Sequence, residues 1–269
     1  MSTVRVGSNA QKRTRAPDVE DVPTNAAKRS KNVATDAASE TNPGIDSTSD
    51  SESEDGASSD NDFISKPEFC GNFDLYAMWL PFLRKVYLPA GTTTPEYEAI
   101  YNLVLKYQAK PDFTARCYLP RSSVLGGRFR CAIVDDPMSG EPFEIKLTHM
   151  VAKDQLVFSS AERRTMKAIL ERTPDTVTHG AGLVAEAELD SDECFVDSAE
   201  GTIKFTRVWA KMGKDETLQE LFEGFFSFDV EFSRVYARKG FEASANHDIA
   251  FWAIRARKDA KGKEIGLSP

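Results

Sequence analysis

The fold is decided by residues 217–258, TLQELFEGFFSFDVEFSRVYARKGFEASANHDIAFWAIRARK. Apolar residues in its first part recur at i, i+3, i+4, i+7 and i+8, which predicts an amphipathic helix over residues 218–226. From Phe228 to Tyr236 apolar residues largely alternate with polar ones, as in a strand with one buried face. Residues 249–254 are apolar on both faces and predict a central strand. We therefore expect this stretch to form the core of a folded domain.

Large apolar residues divide the chain at about residue 62. All 27 aromatic residues (17 Phe, 7 Tyr and 3 Trp) lie from Phe63 onward, and residues 1–62 contain no Leu. A segment without large apolar side chains cannot bury enough surface to offset the entropy of ordering its backbone. We therefore predict a disordered tail at 1–62, with basic clusters and an acidic serine-rich stretch, and a single domain at 63–269.

The rest of the domain carries local signals for both helices and strands. Thr93 with Glu96 three residues later predicts a helix that ends before Pro111. Ser159 with Glu162 forms a capping box that predicts a second helix, to about residue 172. Strands are predicted at 114–119, 128–134 and 143–151, with a hairpin around 199–201 and either state at 183–189. The predicted fold class is α+β, a single domain with a mainly antiparallel sheet and about three to four helices.

Two basic clusters in the tail resemble a bipartite nuclear localisation signal. An extended chain with two cationic clusters can occupy two acidic pockets of a nuclear import receptor at once. Short basic runs also occur in disordered tails for other reasons. We predict nuclear localisation, with this signal formed by Lys12, Arg13, Arg15, Lys28, Arg29 and Lys31.

The following part of the tail is acidic and rich in serine. Residues 35–62 contain no Lys or Arg, and four serines each have an acidic residue three positions later. This pattern is typical of sites for acid-directed kinases, and phosphorylation would add about −1.5 to −2 charges per site. A solvating spacer is the alternative. The predicted phosphorylation sites are Ser47, Ser49, Ser51 and Ser59.

No motif in the sequence predicts a catalytic residue, a metal site or a cofactor. The three histidines, His149, His179 and His247, are far apart, and no GxSxG nucleophile motif is present. His247 followed by Asp248 could begin an acid–base pair, although a loop and cap explain the same residues. The four cysteines form no CxxC motif, which favours free thiols. We expect neither a secretory signal nor a membrane span.

A basic segment near the C-terminus is the candidate for nucleic-acid contact. Its cations follow Trp252, and cations beside an aromatic residue suit contacts to phosphates and bases. An exposed edge strand protected by charge is the alternative. The domain as a whole carries 30 acidic and 27 basic residues, so its net charge of −3 does not favour general nucleic-acid binding. The candidate contacts are Arg255, Arg257, Lys258, Lys261 and Lys263.

These patterns favour a non-enzymatic nuclear regulatory protein that acts by binding another protein, in transcriptional or developmental control. The expected partners are a nuclear import receptor and an unidentified nuclear protein, with no membrane contact. A nucleic-acid-binding protein that uses the basic C-terminal segment is one alternative. An enzyme with a non-contiguous active site is the other, because catalytic residues can converge from distant positions.

Overall fold

The computed structural model describes residues 66–110, 113–122, 125–170, 180–190 and 195–268. The predicted tail, residues 1–62, lies outside these ranges. In chain order the described elements are β1 Gly71–Ala77, α1 Pro81–Tyr87, α2 Tyr97–Gln108, β2 Ala115–Leu119, β3 Gly127–Cys131, β4 Ile145–Lys153, α3 Ser160–Leu170, β5 Gly182–Leu189, β6 Val196–Met212, β7 Leu218–Phe232, α4 Arg234–Arg238 and β8 Ser244–Arg255. Within the described ranges, no helix combines the length and apolar character needed to cross a membrane.

The eight strands form a closed antiparallel barrel. Each strand pairs with the next one along the chain, and β8 pairs with β1 to close the sheet. In this closing pair Tyr76 lies opposite Trp252. The predicted α+β class is therefore wrong, because the sheet closes on itself and the four helices are short additions to it. Closure joins the two ends of the described chain, which no local sequence pattern encodes.

Side chains fill the interior of the barrel. Successive side chains of a strand point to opposite faces, so every second residue faces inward. Phe222, Phe226 and Phe228 of β7 and Phe251 of β8 are 0% exposed and belong to this core. The ring of Phe226 stacks on that of Phe129 with centroids 4.0 Å apart. Burying each such ring contributes about 1.5–3 kcal/mol, so the interior described here is a hydrophobic core.

Three helices cover part of the outer face of the barrel. Trp252 of β8 points outward and is fully buried. Its ring centroid lies 5.4 Å from that of Tyr87 in α1 and 6.0 Å from that of Tyr97, the first residue of α2. Met166 of α3 belongs to the same outer cluster. Residues 249–254 are apolar on both faces because one face fills the barrel and the other lies beneath these helices.

The segment predicted as an amphipathic helix is the first part of β7. Phe222 and Phe226 face the barrel interior, whereas Leu221 and Phe225 belong to the outer cluster. A strand buried on both faces can place apolar residues at the same spacings as an amphipathic helix. The helix prediction is therefore wrong, and its apolar stripe belongs to two different faces of one strand.

Gly224 lets β7 pass close to its neighbours. A Cβ atom at this position would clash with the ring of Phe251 and with the carbonyl oxygen of Lys204. Glycine in a strand often marks such a close approach. The large inward ring of Phe251 therefore depends on the missing side chain at Gly224.

Local helix-start signals are confirmed in part. The Ser159 N–H donates to Glu162 Oε2 at 2.6 Å, and the Glu162 N–H donates to Ser159 Oγ at 3.2 Å, so the capping box is formed. The helix predicted from Thr93 begins at Tyr97 instead, with Glu96 as its N-cap residue. The hairpin predicted around 199–201 is wrong, because those residues lie inside the 17-residue strand β6.

Candidate functional site

One end of the barrel carries the main candidate site. We call this end the mouth; β1 begins there and β8 ends there. Residues 66–70, which precede β1, pack against it, and the Phe69 ring lies 5.9 Å from the Phe222 ring in an edge-on contact. Phe69 is partly buried against the interior core. The chain therefore covers part of the mouth before it enters the first strand.

A buried ion network lies just inside the mouth. Arg207 is paired with Phe222 across β6 and β7, and Arg255 with Phe73 across β8 and β1, so both arginines are on the inner face. Glu220 lies between them with its side chain 2% exposed. Its Oε1 is 2.9 Å from Arg207 Nη1 and its Oε2 is 2.8 Å from Arg255 Nε. Charge-assisted hydrogen bonds of this kind offset the cost of burying the carboxylate.

Arg255 also ties the segment 66–70 to the barrel. Its Nη1 donates to the Cys70 carbonyl and its Nη2 to the Glu68 carbonyl, each at 2.7 Å. The guanidinium carbon lies 5.1 Å from the centroid of the Phe73 ring. All three side-chain nitrogens of Arg255 therefore donate hydrogen bonds to residues of the mouth.

A polar pocket of about 410 Å³ opens at the mouth, and we call it the mouth pocket. Segments before β1, after β2 and after β8 contribute to it, because these three chain ends meet at the same edge of the barrel. Its volume lies within the usual range of small-ligand sites, about 300–1,000 Å³. The lining residues are Glu68, Cys70, Gly71, Tyr118, Leu119, Arg121, Arg255, Ala256, Lys258 and Glu264.

The charged residues of the mouth pocket differ in whether their side chains have hydrogen-bond partners. Glu264 Oε2 accepts hydrogen bonds from the Asn72 N–H at 2.8 Å and from Asn72 Nδ2 at 3.4 Å. Arg121 and Lys258 are exposed, and neither forms a hydrogen bond or ion pair through its side chain within the described part of the chain. Glu68 is also exposed, in weak contact with the Cys70 thiol at 3.8 Å. The pocket lining therefore holds three cations, Arg121, Arg255 and Lys258, and two carboxylates, Glu68 and Glu264. This excess of positive charge suits an anionic group.

The residues predicted to contact nucleic acid do not form one continuous ribbon. Arg255 is held in the ion network, and Arg257 Nη1 donates to the Ala109 carbonyl at 3.4 Å. Lys258 opens a short hairpin that pairs it with Glu264, and Lys261 and Lys263 lie exposed between them. Trp252, which precedes these cations in sequence, is 0% exposed and lies under the helices. It therefore presents no surface on which a base could stack.

The remaining predicted sites fall into two groups. The localisation residues Lys12 to Lys31 and the serines Ser47 to Ser59 lie outside the described residues, as do His179 and Cys194. His149 is exposed, with Nδ1 2.8 Å from Glu186 Oε2. His247 and Asp248 are neighbours in a strand and point to opposite faces, so they form no acid–base pair. No group of three or more metal-ligating side chains occurs among the described residues.

A second polar position lies on the outer face, beneath the helices. Glu223 of β7 is directly opposite Trp252 of β8 and Thr206 of β6. Burial raises the pKa of the Glu223 carboxyl to about 7. The pKa of Tyr87 is also raised, first by burial and further by Tyr97 and Glu223. The Trp252 Nε1 is buried without a hydrogen-bond partner among the described residues. This position lies beside the packed rings of Tyr87, Tyr97 and Trp252, and Glu223 itself stays partly exposed.

Sequence reasoning found Arg255 and Lys258 but missed most of the mouth pocket. Pairing of β1 with β2 brings Tyr118 and Arg121 beside Cys70, and closure of β8 on β1 brings Glu264 to the same place. Arg121 is an isolated cation after Pro120, so no charge cluster drew attention to it. Only strand pairing, which brings β2 and β8 to either side of β1, could have grouped these residues.

Comparison of the chain with protein-family models, curated proteins and solved structures finds no match.

Proposed function

We propose that this chain is a non-enzymatic regulatory protein that acts in the nucleus by binding another protein, in transcriptional or developmental control. The basic clusters at residues 12–15 and 28–31 support the nuclear part of the proposal. The mouth pocket supports the binding part, because it is a concave polar surface next to a rigid, packed barrel. Rigid scaffolds that position exposed loops and termini are common carriers of binding sites.

The observation that carries the proposal is the pair of free cations, Arg121 and Lys258, on the rim of the mouth pocket. Exposed charges without partners contribute little to folding stability. Charged groups at the rim of an interface steer a complementary partner and help set its orientation. An acidic surface of a partner protein complements these two residues.

A photo-crosslinking amino acid at position 261 tests where the partner binds. Lys261 is exposed in the hairpin beside the mouth pocket but does not line it. Lys239, which follows α4 at the opposite end of the barrel, is the matched control position. In the full chain expressed in its own cells, we expect a specific protein adduct from position 261 and none from position 239. The same adducts from both positions would overturn the proposal.

Nucleic-acid binding is the second candidate function, favoured by the exposure of Lys258, Lys261 and Lys263 on one hairpin. Contacts from these residues to phosphates would make affinity fall steeply with salt concentration, since each contact releases counterions. A short single-stranded RNA or DNA is the probe. Salt-dependent binding that disappears when the three lysines are replaced by alanine would favour this candidate over the first.

A further inference from the structure

We propose that the mouth pocket recognises a phosphorylated serine or threonine side chain of the partner protein. This inference rests on the proposed function and names the chemical group that the site binds. A phosphate monoester carries about −1.5 to −2 charges at neutral pH and three strong acceptor oxygens. The negative charge of the phosphate complements the positive charges of Arg121 and Lys258. Its three oxygens can accept hydrogen bonds from both side chains.

The type of the two cations favours a phosphate over a single carboxylate. Arg121 presents a planar fork of donors that matches phosphate oxygens two at a time, and Lys258 supplies a compact positive charge. Because they come from the segments after β2 and after β8, the two side chains can approach one group from two directions. Tyr118 also lines the pocket, and its side chain carries a hydroxyl that can donate a further hydrogen bond.

The other charged residues of the mouth pocket are occupied, with one exception. Arg255 shares the Glu220 carboxylate with Arg207, so it is paired but only partly neutralised. Glu264 is hydrogen-bonded by the neutral groups of Asn72 and keeps its negative charge. Glu68 is the exception, because its exposed carboxylate faces the pocket with only a weak thiol contact. A bound phosphate would meet repulsion from Glu68. Removing this charge is therefore expected to strengthen binding, an effect that a purely structural role of Glu68 does not predict.

The size of the pocket fits a side chain presented by a protein. A volume of about 410 Å³ exceeds what a phosphate group alone occupies. The extra space accommodates the residue that carries the phosphate and part of its neighbours. Segments that bind Arg clusters through a phosphorylated residue are a recurring mode of protein recognition.

The test is a titration of the full-length chain with O-phosphoserine, inorganic phosphate, succinate and serine, followed by calorimetry or NMR. We expect saturable binding of O-phosphoserine that weakens at high salt, and no binding of serine. The double variant Arg121→Ala, Lys258→Ala should weaken O-phosphoserine binding at least about tenfold, because it removes two charge-assisted contacts. Glu68→Gln should strengthen it by about two- to fivefold through loss of one like charge. The double variant Arg238→Ala, Lys239→Ala, at the other end of the barrel, is the charge-matched control and should leave it unchanged.

Each outcome decides between defined alternatives. Equal O-phosphoserine affinity in the wild type and in the Arg121, Lys258 variant overturns the inference, as does tighter binding of succinate than of O-phosphoserine. Binding of short RNA through the same two residues, without O-phosphoserine binding, assigns the pocket to nucleic acid and also overturns it. If the crosslink from position 261 to a protein persists while O-phosphoserine fails to bind, the inference fails and the proposed function stands.

Discussion

Glu220 and Arg255 form an ion pair inside the mouth of the barrel, with Glu220 Oε2 2.8 Å from Arg255 Nε. Glu220 holds Arg207 through its other oxygen at 2.9 Å. Glu220 of β7 is therefore coupled to β6 through Arg207 and to β8 through Arg255. Arg255 in turn binds the segment 66–70. The position of the mouth pocket depends on this network, because Arg255 is part of its lining.

Replacing Glu220 by Gln should destabilise the fold by at most about 3–5 kcal/mol, because the mostly buried Arg207 and the partly exposed Arg255 lose the buried carboxylate that they share. The measurement is urea-induced unfolding of the full chain. Glu144→Gln is the matched control, since Glu144 pairs with Arg130 at 3.0 Å with both side chains nearly half exposed. That change should cost at most about 1 kcal/mol. Similar losses for the two variants would mean that Glu220 has no special role.

The contribution of Glu223 to stability should fall as pH rises from about 4.5 to about 7. Folding raises the pKa of this carboxyl from 4.5 to about 7, so the folded protein holds its proton more tightly than the unfolded chain. The contribution is full below pH 4.5, is lost as pH rises to about 7, and stays lost above it. A pKa shift of one unit corresponds to about 1.4 kcal/mol. The shift of Glu223 from 4.5 to about 7 therefore sets an upper limit of about 3 kcal/mol for the loss of stability. Partial exposure of Glu223 makes the measured value smaller.

The check is urea-induced unfolding of the wild type and of Glu223→Gln at pH 4 and at pH 8. Gln is uncharged at both values, so the variant should be more stable than the wild type at pH 8. At pH 4 the two proteins should differ much less, because the wild-type carboxyl is then protonated. An equal difference between the proteins at both pH values would contradict the assigned pKa direction.

Gly224→Ala should destabilise the barrel by about 1–3 kcal/mol, because the added Cβ clashes with Phe251 and with the Lys204 carbonyl. Phe251→Leu alone should also destabilise, since it removes a buried ring. The double variant provides the sharper result. Part of the clash disappears with the ring, so the double variant should lose less stability than the sum of the single changes. Strict additivity would show that Gly224 and Phe251 do not interact.

Nuclear accumulation should depend on the two basic clusters. Replacing Lys12, Arg13, Arg15, Lys28, Arg29 and Lys31 by Ala in a fluorescent fusion of the full chain should leave the protein in the cytoplasm. A fusion in which only Arg5 is replaced, outside both clusters, is the control and should behave as the wild type. Unchanged nuclear fluorescence of the variant with all six replacements would contradict the localisation proposal.

Local features of this fold could be predicted from the sequence, and non-local ones could not. The Ser159–Glu162 capping box forms as expected because its two hydrogen bonds join residues three apart. The strand over residues 249–254, which lies within β8, is also predictable, since it needs only a continuous apolar run. Closure of β1 on β8 leaves no local trace. The first part of β7, residues 218–226, has the spacing of a helix because both of its faces are buried, whereas residues 228–232 alternate and form a strand as predicted. The mouth pocket depends on that closure, so only its Arg255 and Lys258 could be singled out beforehand.

Partner binding at the mouth pocket is tested most directly by affinity purification of the full chain from its own cells after nuclease treatment. Three proteins are compared: the wild type, the variant Arg121→Ala, Lys258→Ala, and the control variant Arg238→Ala, Lys239→Ala. The account predicts a protein retained equally by the wild type and the control, and reduced at least about tenfold by the pocket variant. Equal retention of every co-purifying protein by all three, with unfolding curves unchanged, would contradict it.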